Sequence, residues 1–201
     1  MGKRDNIKTT IRQAVDYWSK IVDECELSVD WAEADTHCWR CGCEKGLERC
    51  HIIPDSLGGE DSPSNIVLLC KRCHIDGPNV TDPEIMWDWI KAYSVPFYNT
   101  FWGILGAKEY EFVYKKSVAQ EIKDILDLAG VRYDETVEKN IKDIQYEVME
   151  NAGIHFGHPY FNTATMAGIH RMTLKKLANC YRVVFPLCTD QKDEPKVPWW
   201  L

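Results

Sequence analysis

Apolar residues recur at helical spacing through Ile7, Ile11, Ala14, Val15, Trp18, Ile21 and Val22. Residues 6–24 are therefore expected to form an amphipathic helix whose polar face carries Arg12, Asp16 and Lys20. The period then breaks. A connector, Ser28-Val29-Asp30-Trp31-Ala32, leads into Cys38-Trp39-Arg40-Cys41-Gly42, where Gly42 suits a tight turn. Leu47 to Ile53 is short and bounded by Gly46 and Pro54, which fits a strand. Asp55 to Ser64 is turn chemistry throughout and reads as a surface loop. The compact apolar run Ile66 to Leu69 predicts a second strand, which delivers the chain to Cys70-Lys71-Arg72-Cys73-His74 at the start of a helix. The order is strand, loop, strand, helix.

Beyond Asp82-Pro83-Glu84, a short helix is expected to hold Met86, Trp87, Trp89, Ile90 and Tyr93 and to end near Pro96. Aromatic residues stay dense as far as Tyr114, and core packing is the expected use for them. Val118, Ile122, Ile125, Leu126 and Ala129 predict a further helix closed by Gly130. Val137, Ile141, Ile144 and Val148 predict another. Met166, Ile169, Met172, Leu177 and Tyr181 predict a last one, entered from Asn162 or Thr163 as cap. The apolar tail Val197-Pro198-Trp199-Trp200-Leu201 is expected to dock on the body or on a partner.

Length and charge narrow the classes. A chain of 201 residues can bury a real core, and no apolar run reaches the roughly 18 residues of a membrane span. No secretory leader is visible, so a cytoplasmic protein is expected, and its nine cysteines are expected to be reduced. Cys25, Cys180 and Cys188 read as small buried hydrophobes. A net charge of −7 argues against a protein that coats nucleic acid nonspecifically. Yet the stretch from Asn151 to Thr189 holds no acidic residue while keeping Arg171, Lys175, Lys176 and Arg182. Arg171 and Lys175 are four apart on the expected last helix, with Lys176 beside them, and this group is read as a candidate face for a DNA backbone. A basic face packed against acidic partners elsewhere in the chain is the alternative. His155-Phe156-Gly157-His158 offers at most a weak second metal motif.

Chemistry concentrates between the two Cys-x-x-Cys pairs. Four thiolates, Cys38, Cys41, Cys70 and Cys73, suit one tetrahedral structural Zn2+ that clamps both ends of a small fold. Between the hooks lie His51 and Asn65, and His74 follows the second. A neutral imidazole such as His51 can activate water, and one ring nitrogen of His74 can hold a catalytic cation. Alternatives are His74 as a zinc ligand or a plain zinc ribbon. Lys71 and Arg72, inside the second hook, are candidate phosphate contacts or a solvated pair.

Cys38-x-x-Cys41, Cys50-His51-Ile52-Ile53-Pro54, Leu57-Gly58-Gly59 and Ser64-Asn65-Ile66-Val67-Leu68-Leu69-Cys70-x-x-Cys73-His74 together resemble the HNH nuclease motif of the ββα-metal superfamily. The resemblance covers about residues 37–80. It implies an α+β fold, a small zinc-bound ββα-metal (HNH) module embedded in a mainly helical chain. The resemblance says little about the flanks; the apolar periods above divide the chain into a helix packing on the module at 1–30, the module at 31–96, and a helical region at 97–201, a candidate DNA-positioning element. The resemblance further implies a metal-dependent endonuclease acting on DNA, in all expectation double-stranded, with His51 as general base, Asn65 bracing the loop that orients it, and His74 binding Mg2+ or Mn2+. Members serve as restriction, phage and other bacterial defence nucleases, and a symmetric duplex cutter would use a homodimer. This chain departs in one place. Many members carry Asp directly before the base histidine as a metal ligand, and here it is Cys50, a soft ligand ill suited to magnesium. Glu48 lies on the same strand face by period two and ranks first as substitute. A noncatalytic zinc-stabilised binding or interaction module with a degenerate site is the rival reading.

Overall fold

The computed structural model describes residues 7–44, 46–92, 94–95, 98, 100–154 and 160–185. The His155–His158 motif, Cys188 and the apolar tail lie outside them. The chain divides into two compact units, Met1–Trp102 and Gly103–Leu201.

In the first unit, helix α1 spans only Ile11–Trp18, shorter than the apolar period implies. Its start is set by a capping box: Thr10 Oγ1 accepts from the Gln13 amide at 3.2 Å, and Gln13 Oε1 accepts from the Thr10 amide at 2.8 Å. The residues before Thr10 are thereby free to do something other than coil. Strands β1 (Leu47–His51) and β2 (Ile66–Cys70) form an antiparallel hairpin in which His51 faces Ile66 and Leu47 faces Cys70. Every residue of β2 is buried, because α1 covers it and α2 (Lys71–Asp76) follows directly from its end. The Trp18 indole donates to the Ile66 carbonyl at 2.9 Å, fixing α1 to the hairpin.

Helix α3 (Pro83–Lys91) begins at the Asp82 cap and buries Met86 and Ile90. Trp18, Trp39 and Trp87 pack ring against ring around it, and Trp31 meets Trp39 edge-on. The tryptophans thus make the wall of the module, as their density implies. This unit runs past residue 96, and its Phe101 and Trp102 receive the guanidinium groups of Arg40 and Arg72, at 4.6 and 3.1 Å from their ring centroids.

The second unit holds most of α4 (Phe101–Tyr114), then α5 (Val118–Ala129), α6 (Glu135–Glu150) and α7 (Thr163–Cys180). Gly130, at φ +67°, terminates α5, and Asn162 caps α7 through a 2.7 Å bond from the Thr165 amide. Its core joins Tyr110, Ile125, Ile144, Val148, Ile169, Leu174 and Leu177. Helix α4 shows no apolar stripe in sequence because its large residues point all round. Its Gly106 has a reason: a Cβ there would lie 2.4 Å from that of Met166, so only glycine allows α4 and α7 to approach.

This core also absorbs a residue read above as a DNA contact. Arg171 is 7% exposed and donates to Glu121 Oε2 and to the Tyr110 hydroxyl, both at 3.1 Å, while Tyr110 donates to Glu121. Arg171 therefore balances a buried carboxylate and does not face solvent. Lys176 is also engaged, at 2.5 Å from Glu147 on α6, whereas Lys175 is exposed. Two basic residues of α7, Arg171 and Lys176, thus meet acids supplied by α5 and α6. Sequence alone held a pointer: Glu121 falls on the apolar face of α5, between Val118 and Ile125.

Candidate active site

The zinc hooks close the base of the hairpin. Hook one turns at Gly42, whose φ is +64° and whose amide donates to the Cys38 carbonyl at 2.8 Å. It is joined to β2 by the Trp39 amide, which donates to the Leu68 carbonyl at 3.0 Å. Hook two begins at the N-cap of α2, where Cys70 Sγ accepts from the Cys73 amide at 3.5 Å. The ligand atoms of Cys38, Cys41, Cys70 and Cys73 lie within 4.8 Å of one another, all buried. The Cys41 and Cys70 sulfurs are 3.7 Å apart. A tetrahedron with Zn–S bonds of about 2.3 Å has edges of about 3.8 Å, so the cluster has the dimensions of a zinc tetrathiolate. Cys43 is outside this four-sulfur group, and among the described residues no other group of three or more potential ligands converges.

At the far end of the hairpin, Asn65 holds the loop. Its Oδ1 accepts from the Ile53 amide at 2.8 Å, and its Nδ2 donates to the carbonyls of Ile53 and Glu60 at 3.0 and 2.8 Å. The Ile52 amide adds a bond to the Asn65 carbonyl at 2.8 Å. Gly59 passes so close that a Cβ there would lie 1.7 Å from the Ile53 carbonyl oxygen. His51, half-buried, is the last residue of β1 before this cross-braced turn.

Arg49 shares the His51 face by strand alternation. It and Asp61 fasten the segment before α1. Arg49 donates to the carbonyls of Ile7 and Thr9 at 3.0 and 2.9 Å, and Asp61 accepts from the amides of Lys8 and Thr9 at 2.5 and 3.1 Å. Hydrogen bonds from Lys8 and Thr9 hold the Asp61 carboxyl below its ordinary range, with a smaller contribution from His51. The helical reading of residues 7–9 had hidden this strap.

On the other strand face, Glu48 Oε2 lies 2.7 Å from His74 Nδ1. An oxygen and a nitrogen donor from β1 and α2 thus meet at a half-exposed position, the donor types a hydrated divalent cation takes. In this structure the two are bonded to each other, and they are the residues that could hold such a cation between β1 and α2. Among the described residues Cys50 does not complete a three-ligand group with them. It is 5% exposed, and burial, helped by the charge of Glu48, pushes its thiol up to about 12. Lys71 is exposed at the start of α2, while Arg72 lies over Trp102.

Among the described residues no helix is long and apolar enough to cross a membrane. Comparison with known families matches residues 37–87, about a quarter of the chain, to the HNH endonuclease family. No curated protein and no solved structure matches. The matched span covers both cysteine hooks, the hairpin, His51, Asn65, His74 and the first turns of α3. Residues 37–87 are an HNH endonuclease domain, with a buried four-cysteine cluster of the kind that holds zinc.

Proposed function

We propose that the chain is a metal-dependent endonuclease that hydrolyses phosphodiester bonds in double-stranded DNA. The observation that carries this reading is the Asn65 brace: three side-chain hydrogen bonds fix the turn that directly follows His51. Such fixing suits a general base, which must meet an attacking water in one geometry. His51 takes a proton from that water, whose oxygen forms a bond to phosphorus as the bond to the 3′ oxygen breaks. The products are a 5′-phosphate and a 3′-hydroxyl.

Glu48 and His74 are the proposed holders of Mg2+ or Mn2+. When bound, such a cation supplies charge neutralisation at the phosphate and the departing oxygen. Arg49 and Asp61 act on His51's side of the hairpin by keeping the strap of residues 7–9 in place. Exposed Lys71 and Lys175 are the remaining candidates for phosphate contact; Arg72, on Trp102, is a candidate for stacking as well as charge. Incubating the protein with genomic DNA and either cation, then labelling the ends, tests the reaction. Newly formed 5′-phosphate and 3′-hydroxyl ends are expected, and intact DNA or 3′-phosphate ends would contradict the mechanism.

Cys50 favours a second reading, a noncatalytic nucleic-acid-binding module, since a buried thiol stands where many family members place a carboxylate. That reading predicts DNA retention without cleavage in either metal.

A further inference from the structure

Arg40 lies inside the first hook, between Cys38 and Cys41, and is 5% exposed. Its guanidinium stacks on Trp89 at 3.8 Å and on Phe101 at 4.6 Å from the ring centroids. One N–H points at Cys73 Sγ, 3.8 Å away, and Nε has no acceptor. Among the described residues no carboxylate pairs with it. A buried arginine with no counter-charge is costly, whereas Arg171, also buried, has Glu121.

We infer that Arg40 is the built-in counter-ion of the metal centre. Four thiolates on Zn2+ carry a net dianionic charge in a buried site, and the guanidinium is the cation placed against it. Four neutral thiols, or two disulfides, would leave Arg40 without any balancing charge. The aromatic faces of Trp89 and Phe101 keep water out and hold the guanidinium plane, so the N–H···S contact is made at no further ordering cost. Through Trp89 the same side chain couples the zinc hook to α3. Arg40 is thus a positioning residue for the zinc thiolates, and its role is independent of whether the chain cleaves DNA.

The test is zinc-linked folding of the full chain, followed by tryptophan fluorescence against free zinc set by a chelator, for wild type, Arg40→Gln and Arg40→Lys. The expectation is one zinc per wild-type chain and a folding midpoint moved to about tenfold or more higher free zinc in Arg40→Gln, the size typical of losing an outer-shell partner of a metal ligand. Arg40→Lys, which keeps the charge, should fall between them. An unchanged midpoint in Arg40→Gln overturns the inference. If Arg40→Gln does not fold at saturating zinc, Arg40→Lys decides: folding with zinc supports the counter-ion role, and failure assigns Arg40 to packing instead. A wild-type chain without zinc would remove the centre itself, an outcome separable from either result.

Discussion

Replacing Asn65 with alanine should be among the most damaging single changes at the site, in both stability and turnover. The side chain is buried and supplies one acceptor and two donors, to the Ile53 amide and to the Ile53 and Glu60 carbonyls. Each such bond is worth about 1 kcal/mol net, so the change should cost about 2–3 kcal/mol after allowing for water entering the loop. With a urea slope of about 1–2 kcal/mol per molar, the unfolding midpoint should fall by about 1–3 M. Six of the eight tryptophans lie within residues 1–102, so tryptophan fluorescence reports this unit. Under conditions where the variant remains folded, freeing the turn should also misplace His51, and an error of about 1 Å can cost about a hundredfold in rate. Asn65→Asp should lie close to alanine, because it keeps the acceptor for Ile53 but sets a carboxylate against two carbonyl oxygens. A midpoint within about 0.3 M of wild type for Asn65→Ala, with cleavage unaltered, would refute the brace.

Glu48→Gln should leave the melting curve unchanged and raise the magnesium or manganese needed for half-maximal cleavage by roughly tenfold or more, measured by metal titration of plasmid nicking. Arg171→Met should destabilise the second unit by about 3–5 kcal/mol by stranding Glu121, and Arg171→Met with Glu121→Leu should recover most of it in denaturant unfolding. Acid should loosen the strap. The folded Asp61 carboxyl titrates below its unfolded value, so its contribution is full above the unfolded value near 3.8 and is lost as pH falls through the folded one. Hydrogen exchange at Lys8 and Thr9 should then accelerate at low pH, and Asp61→Asn should show that fast exchange already at neutral pH.

The module was legible because its chemistry is local: two cysteine hooks, turn residues bounding two short strands, and a histidine at the end of one of them. The helices α5, α6 and α7 were legible for the same reason, each having an apolar face, with Gly130 closing α5 and Asn162 opening α7. What escaped depended on distant partners. Thr10 and Gln13 shorten α1, and only Arg49 and Asp61, some 40 to 50 residues away, reveal what the preceding segment does. Helix α4 escaped because its apolar residues encircle it. Arg171 looked like a surface cation because a helix period places residues on a face without telling which neighbour covers it; Glu121 and Tyr110 do. Glu48 became a partner of His74 through the hairpin's junction with α2, a pairing that strand alternation allowed but did not specify.

The central claim is that a zinc-clamped hairpin presents His51 as the base that starts phosphodiester hydrolysis. Its most direct measurement is the nicking of supercoiled plasmid in manganese by wild type and His51→Ala, each first shown to carry one zinc and to melt alike. The account predicts open-circular product from wild type and none above background from the variant. Equal nicking by both, or none by a zinc-loaded wild type, would contradict it.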